Sequence, residues 1–293
     1  MIHLGAKPPA EESASRPGVT LAADARERAL GEWLADRGRV LVGYSGGVDS
    51  AYLALVARRR LGPDGMLAVI GRSPSYPAAQ WATARAVADR FAVPVLEVDT
   101  SELDDPRYAA NPTNRCYFCK SELWSRLAPV ARERGMTLLD GTNADDLGDH
   151  RPGARAGGER GVRSPLADIG LTKTQIRTLS ARRGLPTASV PSAPCLASRL
   201  PYGTAVTVER LAQVERAERA LRALGVSGDL RVRHHGELAR VEMLPAEIDR
   251  WLVPDAAERI RCAVRSAGFR RVAVDLRGFR SDSLNVLGGV VAG

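Results

Sequence analysis

The stretch Tyr44-Ser-Gly-Gly-Val-Asp-Ser50 stands where an apolar run, RVLVGY (39–44), gives way to a helical pattern, and it restricts the fold more than any other feature of the chain. Two adjacent glycines, Gly46 and Gly47, let the backbone pass close to a ligand. Ser45 and Ser50 add hydroxyls, Asp49 adds a carboxylate, and a helix starting here turns its unpaired N–H groups toward whatever lies in front of it, which is a seat for phosphate. No Gly-Lys-Ser/Thr closes the loop, so it is not a Walker loop. A tight turn with no ligand is the plain alternative; strand, glycines, serines and Asp49 all in register argue against it. Further apolar runs follow, MLAVIG (66–71), PVLEVD (94–99) and TLLDG (137–141), separated by helical patterns over Asp49 to Arg60, Ala78 to Phe91 and Lys120 to Arg134. Strands alternating with helices imply right-handed crossovers and a doubly wound, parallel α/β sheet, whose ligands sit at the carboxyl ends of the strands.

The rest of the chain falls into a lead and a tail around that unit. Residues 1–27 are rich in Pro, Ala, Ser and Glu without periodicity and are expected to form a mobile lead, with order beginning at a short amphipathic helix in ALGEWLADRG. Residues 28–203 make the α/β domain. It includes two Gly- and Arg-rich segments, GDHRPGARAGGERGVRSP (148–165), expected to be a flexible loop or lid, and VPSAPCLASRLPYG (190–203). From Thr204 to residue 293 the pattern changes to a helix over Val206 to Leu224, strands LRVRHH (230–235) and ARVEML (239–244), a helix over Asp255 to Ala267 and a strand RVAVDL (271–276), the outline of a smaller α+β domain.

With 44% hydrophobic and 26% charged residues the 293-residue chain is globular in composition. No apolar run reaches membrane-spanning length and the N-terminus lacks a signal-peptide core, so a cytoplasmic location and no membrane partner are expected. The net charge of +8 would ordinarily suggest a polyanionic partner, but lysine occurs only at Lys7, Lys120 and Lys173, and arginine is spread along the chain. That distribution argues against a nucleic-acid footprint.

Four cysteines are too few and too unevenly placed for a disulfide framework. Cys116 and Cys119, in NRCYFCK, form a CxxC at a helix start, where the helix terminus should lower the thiol pKa, and a distant third cysteine could close a three-point iron site. A redox pair and a zinc site remain open readings, although the first expects a thioredoxin-like setting and the second lacks a fourth ligand beyond His150 or Cys262. Cys262, in an apolar-periodic helix, reads as a buried core thiol.

The loop at 44–50 resembles the SGGxDS signature of the PP-loop ATP pyrophosphatases, which cleave ATP between the α and β phosphates. That resemblance implies ATP with Mg2+ bound by Ser45, Gly46, Gly47, Asp49 and Ser50, by Thr142 and Asn143 of the DGTN segment after the fourth strand, and by Lys173, a first-turn lysine that reaches the pyrophosphate. The segments NRCYFCK, DGTNADDLGDHRPG, GLTKTQIR, PSAPCLASRLPYG, LRVRHH and DLRGFRSDSLN are similar to those of the LarE family, from about Ala29 to Asn285. The family makes the nickel-pincer nucleotide cofactor. The resemblance implies adenylation of a carboxylate of pyridinium-3,5-biscarboxylic acid mononucleotide, loss of pyrophosphate, and sulfur attack to a thiocarboxylate.

Two sulfur sources occur in that family. A cysteine in the context of Cys195 can give up its own sulfur and become dehydroalanine, or three cysteines in the positions of Cys116, Cys119 and Cys195 can hold a 4Fe-4S cluster whose fourth iron carries a sulfide. This chain has all three cysteines. Arginine matches phosphate and carboxylate by its planar fork, which makes Arg199, Arg231 and Arg233 the candidate substrate contacts, the last two co-facial on one strand. Lys120 and Glu242 join them by resemblance only, and the smaller domain resembles a substrate-binding and oligomerisation module, so a homo-oligomer is expected. A PP-loop tRNA thiolase and a non-catalytic adenine-nucleotide sensor are the competing readings.

Overall fold

Four apolar runs become four parallel strands. A computed structural model of the chain describes residues 17–148, 152–191 and 193–280. Strands β1 (Val40–Gly43), β2 (Met66–Arg72), β3 (Val95–Asp99) and β4 (Thr137–Leu139) lie in the order β3-β2-β1-β4. Val40, Leu41 and Val42 are fully buried because helices cover both faces, which is why the strand reads as an unbroken apolar run. Strand order reverses between β1 and β4, and a crevice opens beyond their carboxyl ends at such a switch point.

The helices of this unit are α1 (Pro17–Arg37), α2 (Val48–Leu61), α3 (Ala78–Arg90), α4 (Pro106–Ala109), α5 (Arg115–Glu133), α6 (Pro152–Gly158), α7 (Pro165–Asp168) and α8 (Lys173–Arg182). One face of the sheet packs with Leu30 and Leu34 of α1, Tyr52 and Leu53 of α2, and Ile176 and Leu179 of α8. The other packs with Trp124 and Leu127 of α5. Beyond it come α9 (Val208–Leu224), β5 (Leu230–His235), β6 (Leu238–Met243), α10 (Pro245–Trp251), α11 (Pro254–Ser266) and β7 (Arg271–Val274). Strands β5 and β6 form an antiparallel hairpin and β7 adds parallel to β6. Cys119 and Cys195 pack against the core of this second sheet, so the thiols stand at the seam between the two sheets.

Three expectations are corrected. Residues 17–27, expected in the mobile lead, belong to α1, whose Ala23 is fully buried. Segment 148–165 contains α6, and Arg163 bridges to Leu139 as an extension of the β4 edge. The helix expected from Lys120 begins at Arg115, so both cysteines of the CxxC lie on its opening turns. His150, most of RSDSLN and residues 1–16 lie outside the described residues.

Candidate active site

The turn after β1 is set by its own side chains. Ser45 N donates to Ser50 Oγ at 3.2 Å, and Ser50 Oγ donates to Gly47 O at 3.2 Å. Tyr76 Oη and Gln80 Nε2, from outside the loop, both donate to Ser45 O at 2.9 Å. Gly46 sits at φ +68°, and a Cβ there would stand 2.6 Å from Ala84 Cβ, so only glycine fits. Gly47 caps α2 with no side-chain bond, which leaves the first amides of the helix free to face a ligand.

Lys173 opens α8 behind a Thr172–Gln175 capping box, and its Nζ forms an ion pair with Asp49 Oδ2. The other oxygen of Asp49, Oδ1, is buried without a partner. An orphaned carboxylate oxygen on a phosphate-type loop fits a divalent cation, and Asp140 and Asp146 line the same cavity. Mg2+ takes few protein ligands beside waters and phosphates, in keeping with the finding that no three His, Cys, Asp or Glu side chains among the described residues form a ready-made ion site.

The strap after β4 runs beside the start of α2, where a Cβ on Gly141 would lie 3.0 Å from Ser50 N. Asp140 holds it in shape by accepting from Thr142 N, Thr142 Oγ1 and Ser164 Oγ at 3.1, 3.0 and 2.8 Å. Thr142 lines the cavity, whereas Asn143 is buried and braces the strap by accepting from Asp145 N at 3.0 Å.

A cavity of about 550 Å³ joins these parts to the thiols: its wall includes Ser45, Gly47, Asp49, Ser50, Thr142 and Lys120 together with Cys116, Cys119 and Cys195. The Cys195 loop is tied to Ser75 and Arg115 from outside and to Arg199 from within. Leu196 N donates to Ser75 O at 2.8 Å, Arg115 Nη1 donates to Ala197 O at 3.1 Å, and Arg199 Nη1 donates to Pro194 O at 2.6 Å and Cys195 O at 3.1 Å. Arg115 also binds Asn111 Oδ1, and Asn111 Nδ2 donates to Pro201 O and Thr204 O at 2.8 and 2.9 Å. Asn111 is wholly buried with φ +57°, a left-handed backbone that asparagine tolerates.

Thiol electrostatics depart from expectation. Cys116 is an exposed residue, yet desolvation of its thiol at the cavity wall pushes it up, aided by Cys195, and the Arg115 charge only partly offsets this. Cys119 is pushed far above the ordinary thiol range by burial first, then by Glu102 and Cys195. Any lowering by the helix terminus is thus outweighed by desolvation. Cys262 is a second correction: it is exposed on α11 and its Sγ donates to Glu258 Oε1 at 3.3 Å, so it is not a core thiol.

Of the candidate substrate contacts, Lys120 lines the cavity, with Nζ 5.8 Å from the centre of the Trp124 ring. Arg199, Arg231 and Arg233 are buried behind the Cys195 loop. Arg199 forms a two-pronged pair with Glu218 at 2.9 and 3.1 Å. Arg233 pairs with Glu242 at 2.9 Å and donates to Ser198 O at 2.9 Å. Arg231 donates to Leu230 O at 2.8 Å and stacks over Phe279, and burial, then the neighbouring Arg199, pushes it down to about 10. Sequence reasoning missed Asn111, Arg115, Ser75 and Glu102. Arg115 stands inside NRCYFCK but only its cysteines were singled out there, and the other three belong to no motif; the roles of Arg115, Ser75 and Asn111 depend on the Cys195 loop and the residues after it, far off in the chain.

Comparison with known proteins agrees with this fold. The NAD synthase family model matches residues 26–137, from within α1 to the first residue of β4. A pyridinium-3,5-bisthiocarboxylic acid mononucleotide synthase of Lactiplantibacillus plantarum is 36% identical over 253 residues, covering 86% of this chain and 91% of that protein. An uncharacterized protein of Synechocystis sp. is 42% identical over 257 residues, 87% of this chain and 95% of that one. Another, of Methanocaldococcus jannaschii, is 28% identical over 248 residues, 83% and 91% of the two chains.

Proposed function

Since the chain belongs to the LarE family of ATP-dependent sulfur transferases, we propose that it converts pyridinium-3,5-biscarboxylic acid mononucleotide to the bisthiocarboxylate. A substrate carboxylate oxygen attacks the α-phosphorus of ATP, the bond to the bridging oxygen breaks, and pyrophosphate leaves. A sulfur nucleophile then adds to the acyl carbon and AMP departs, leaving a thiocarboxylate. Two rounds complete the product.

Ser45, Gly46, Gly47, Asp49 and Ser50 bind the pyrophosphate as it forms, through the serine hydroxyls and the free amides at the start of α2, with Lys173 neutralising its charge. Thr142 and the strap braced by Asn143 flank the nucleotide, and Asp49 offers its second oxygen to Mg2+. Lys120 meets a substrate anion on the cavity wall, while Arg199, Arg231 and Arg233 act from the smaller unit on the phosphate or the Cys195 loop. Residues 28–203 carry the ATP chemistry, and 204–293 carry substrate binding and assembly into a homo-oligomer. No nucleic acid takes part.

The observation that carries this reading is the shared cavity: the nucleotide loop and all three thiols open onto one space. Cys116, Cys119 and Cys195 are soft thiolate donors on one cavity wall, and they are the residues that would hold a 4Fe-4S cluster. Such a cluster, when bound, supplies the sulfur for transfer. A second reading has Cys195 as donor, favoured by the finding that no three described residues gather as an ion site. Its Sγ attacks the acyl carbon, the Cβ–Sγ bond breaks as the Cα proton leaves, and dehydroalanine remains.

Anaerobically purified protein given ATP, Mg2+ and the biscarboxylic mononucleotide should release pyrophosphate only with the nucleotide present, and yield a product with oxygen replaced by sulfur. ATP cleavage indifferent to that nucleotide would sink the reading. About four iron and four sulfide per chain, lost on Cys116→Ala, Cys119→Ala or Cys195→Ala, supports the cluster. Single turnover without iron, with the chain lighter by one hydrogen sulfide in mass spectrometry, selects Cys195 as donor.

A further inference from the structure

Glu102 is 2% exposed yet forms part of the wall of the cavity that joins the nucleotide loop to the thiols. It opens a short 3-10 turn after β3. Ser75 Oγ donates to its Oε1 at 2.7 Å and Thr100 Oγ1 to its Oε2 at 2.8 Å. Those hydroxyls are its side-chain partners among the described residues, and none of the ion pairs there includes it; Lys120, the nearest cavity-lining cation in sequence, stands over Trp124 instead. A carboxylate offers about four acceptor positions, so two hydroxyls leave it half satisfied. Burying such an anion costs free energy that a cation recovers.

Its place in the cavity says where that cation comes from. The Glu102 charge lies close enough to Cys119 to be the second cause of that thiol's shift. The other carboxylates of the wall, Asp49, Asp140 and Asp146, belong to the nucleotide loop and the strap. Glu102 is therefore the buried anion at the thiol end. In the substrate class given above, the acyl carbon that accepts sulfur is bonded directly to a ring with a quaternised nitrogen, so sulfur at the thiols brings the ring charge near them. A quaternised nitrogen has no N–H to donate, and only an anion or an aromatic face recognises it.

Resting on the proposed function, we propose that Glu102 is a specificity-determining residue that recognises the cationic ring of the substrate. It selects the pyridinium form over an uncharged ring bearing the same carboxylates and phosphate. Ser75 and Thr100 hold the carboxylate in orientation, and Ser75 also fixes the Cys195 loop through Leu196, so the ring site and the sulfur site share a support.

The test is calorimetric titration of the full chain and of Glu102→Gln with ATP, with the pyridinium-3,5-biscarboxylic mononucleotide, and with its dihydropyridine form, which lacks the ring charge. Glutamine keeps the size of the side chain and an acceptor oxygen. The expected result is Kd raised about tenfold or more for the pyridinium nucleotide, with less than about twofold change for the dihydropyridine and for ATP. Equal weakening of both nucleotides would reduce Glu102 to a scaffold residue and overturn the inference while the proposed function stands. Wild-type protein that binds ATP but neither nucleotide would defeat the proposed function, and the role of Glu102 with it.

Discussion

Arg115 donates to the carbonyl oxygen of Ala197 at 3.1 Å, which ties the residue before Cys116 to the residue two beyond Cys195. One buried side chain thereby sets the spacing between the CxxC and the third thiol, and Asn111 holds that side chain in place. Arg115→Met should cost about 3 kcal/mol of stability, since buried carbonyl and amide oxygens lose a charged donor. Iron retention should fall further than in an equally destabilised core variant such as Leu127→Ala. Chemical denaturation and iron content, measured on both variants, check this.

Gly46→Ala meets two penalties at once, a Cβ in the left-handed region and a contact 2.6 Å from Ala84 Cβ. Together they amount to about 2–4 kcal/mol. ATP affinity should drop at least about tenfold, because the loop relaxes away from the phosphate. Equilibrium binding of ATP to Gly46→Ala, with far-UV dichroism as the fold control, reads this out.

Lys173→Met removes the ion-pair partner of Asp49 Oδ2, while Oδ1 already has none. If Lys173 neutralises charge on the leaving pyrophosphate, kcat for its release should fall by about 10²–10³ with a smaller change in KM. A loss confined to KM would give Lys173 ground-state binding alone. Pre-steady-state pyrophosphate release separates the two.

Raised thiol pKa values have a signed consequence for the metal-free protein. Cys116 and Cys119 hold their protons more tightly folded than unfolded, so their contribution is complete below the unfolded value near 9 and is lost as pH rises toward the folded values. Stability should decline above about pH 9, and less so in Cys119→Ala. Near neutral pH the thiols start protonated, so metal loading should release protons and weaken as pH falls. Urea midpoints across pH and proton release in weakly buffered reconstitution test both halves.

The four strands of the main sheet were legible to within a residue or two: β1 and β2 because strands buried on both faces admit little but apolar residues, and the half-buried edge strand β3 because Val95, Leu96 and Val98 still form an apolar run. The nucleotide loop was legible for a different reason: its glycines answer a backbone demand that few other sequences meet. Helix α6 was hidden by its glycines, which read as loop. Gly153 and Gly157 are there because α6 lies against α5, where added Cβ atoms would stand 3.0 Å from Lys120 Cγ and 3.5 Å from Trp124 Nε1. The buried pairings of Arg199 and Arg233 could not be read either, since Glu218 and Glu242 become their partners only once α9, β5 and β6 pack. Glu102 left no trace at all, as its meaning lies in Ser75, Thr100 and Cys119.

The position of the thiols at the seam between the sheets has a consequence for the order of assembly. The nucleotide loop rests on the core of the first sheet, whereas Cys119 and Cys195 lean on that of the second. During synthesis, the emerging chain can complete its phosphate cradle before the segment that backs Cys195 has left the ribosome. The ability to hold ATP thus matures ahead of the ability to gather three sulfurs, and the final hairpin acts as a checkpoint between them.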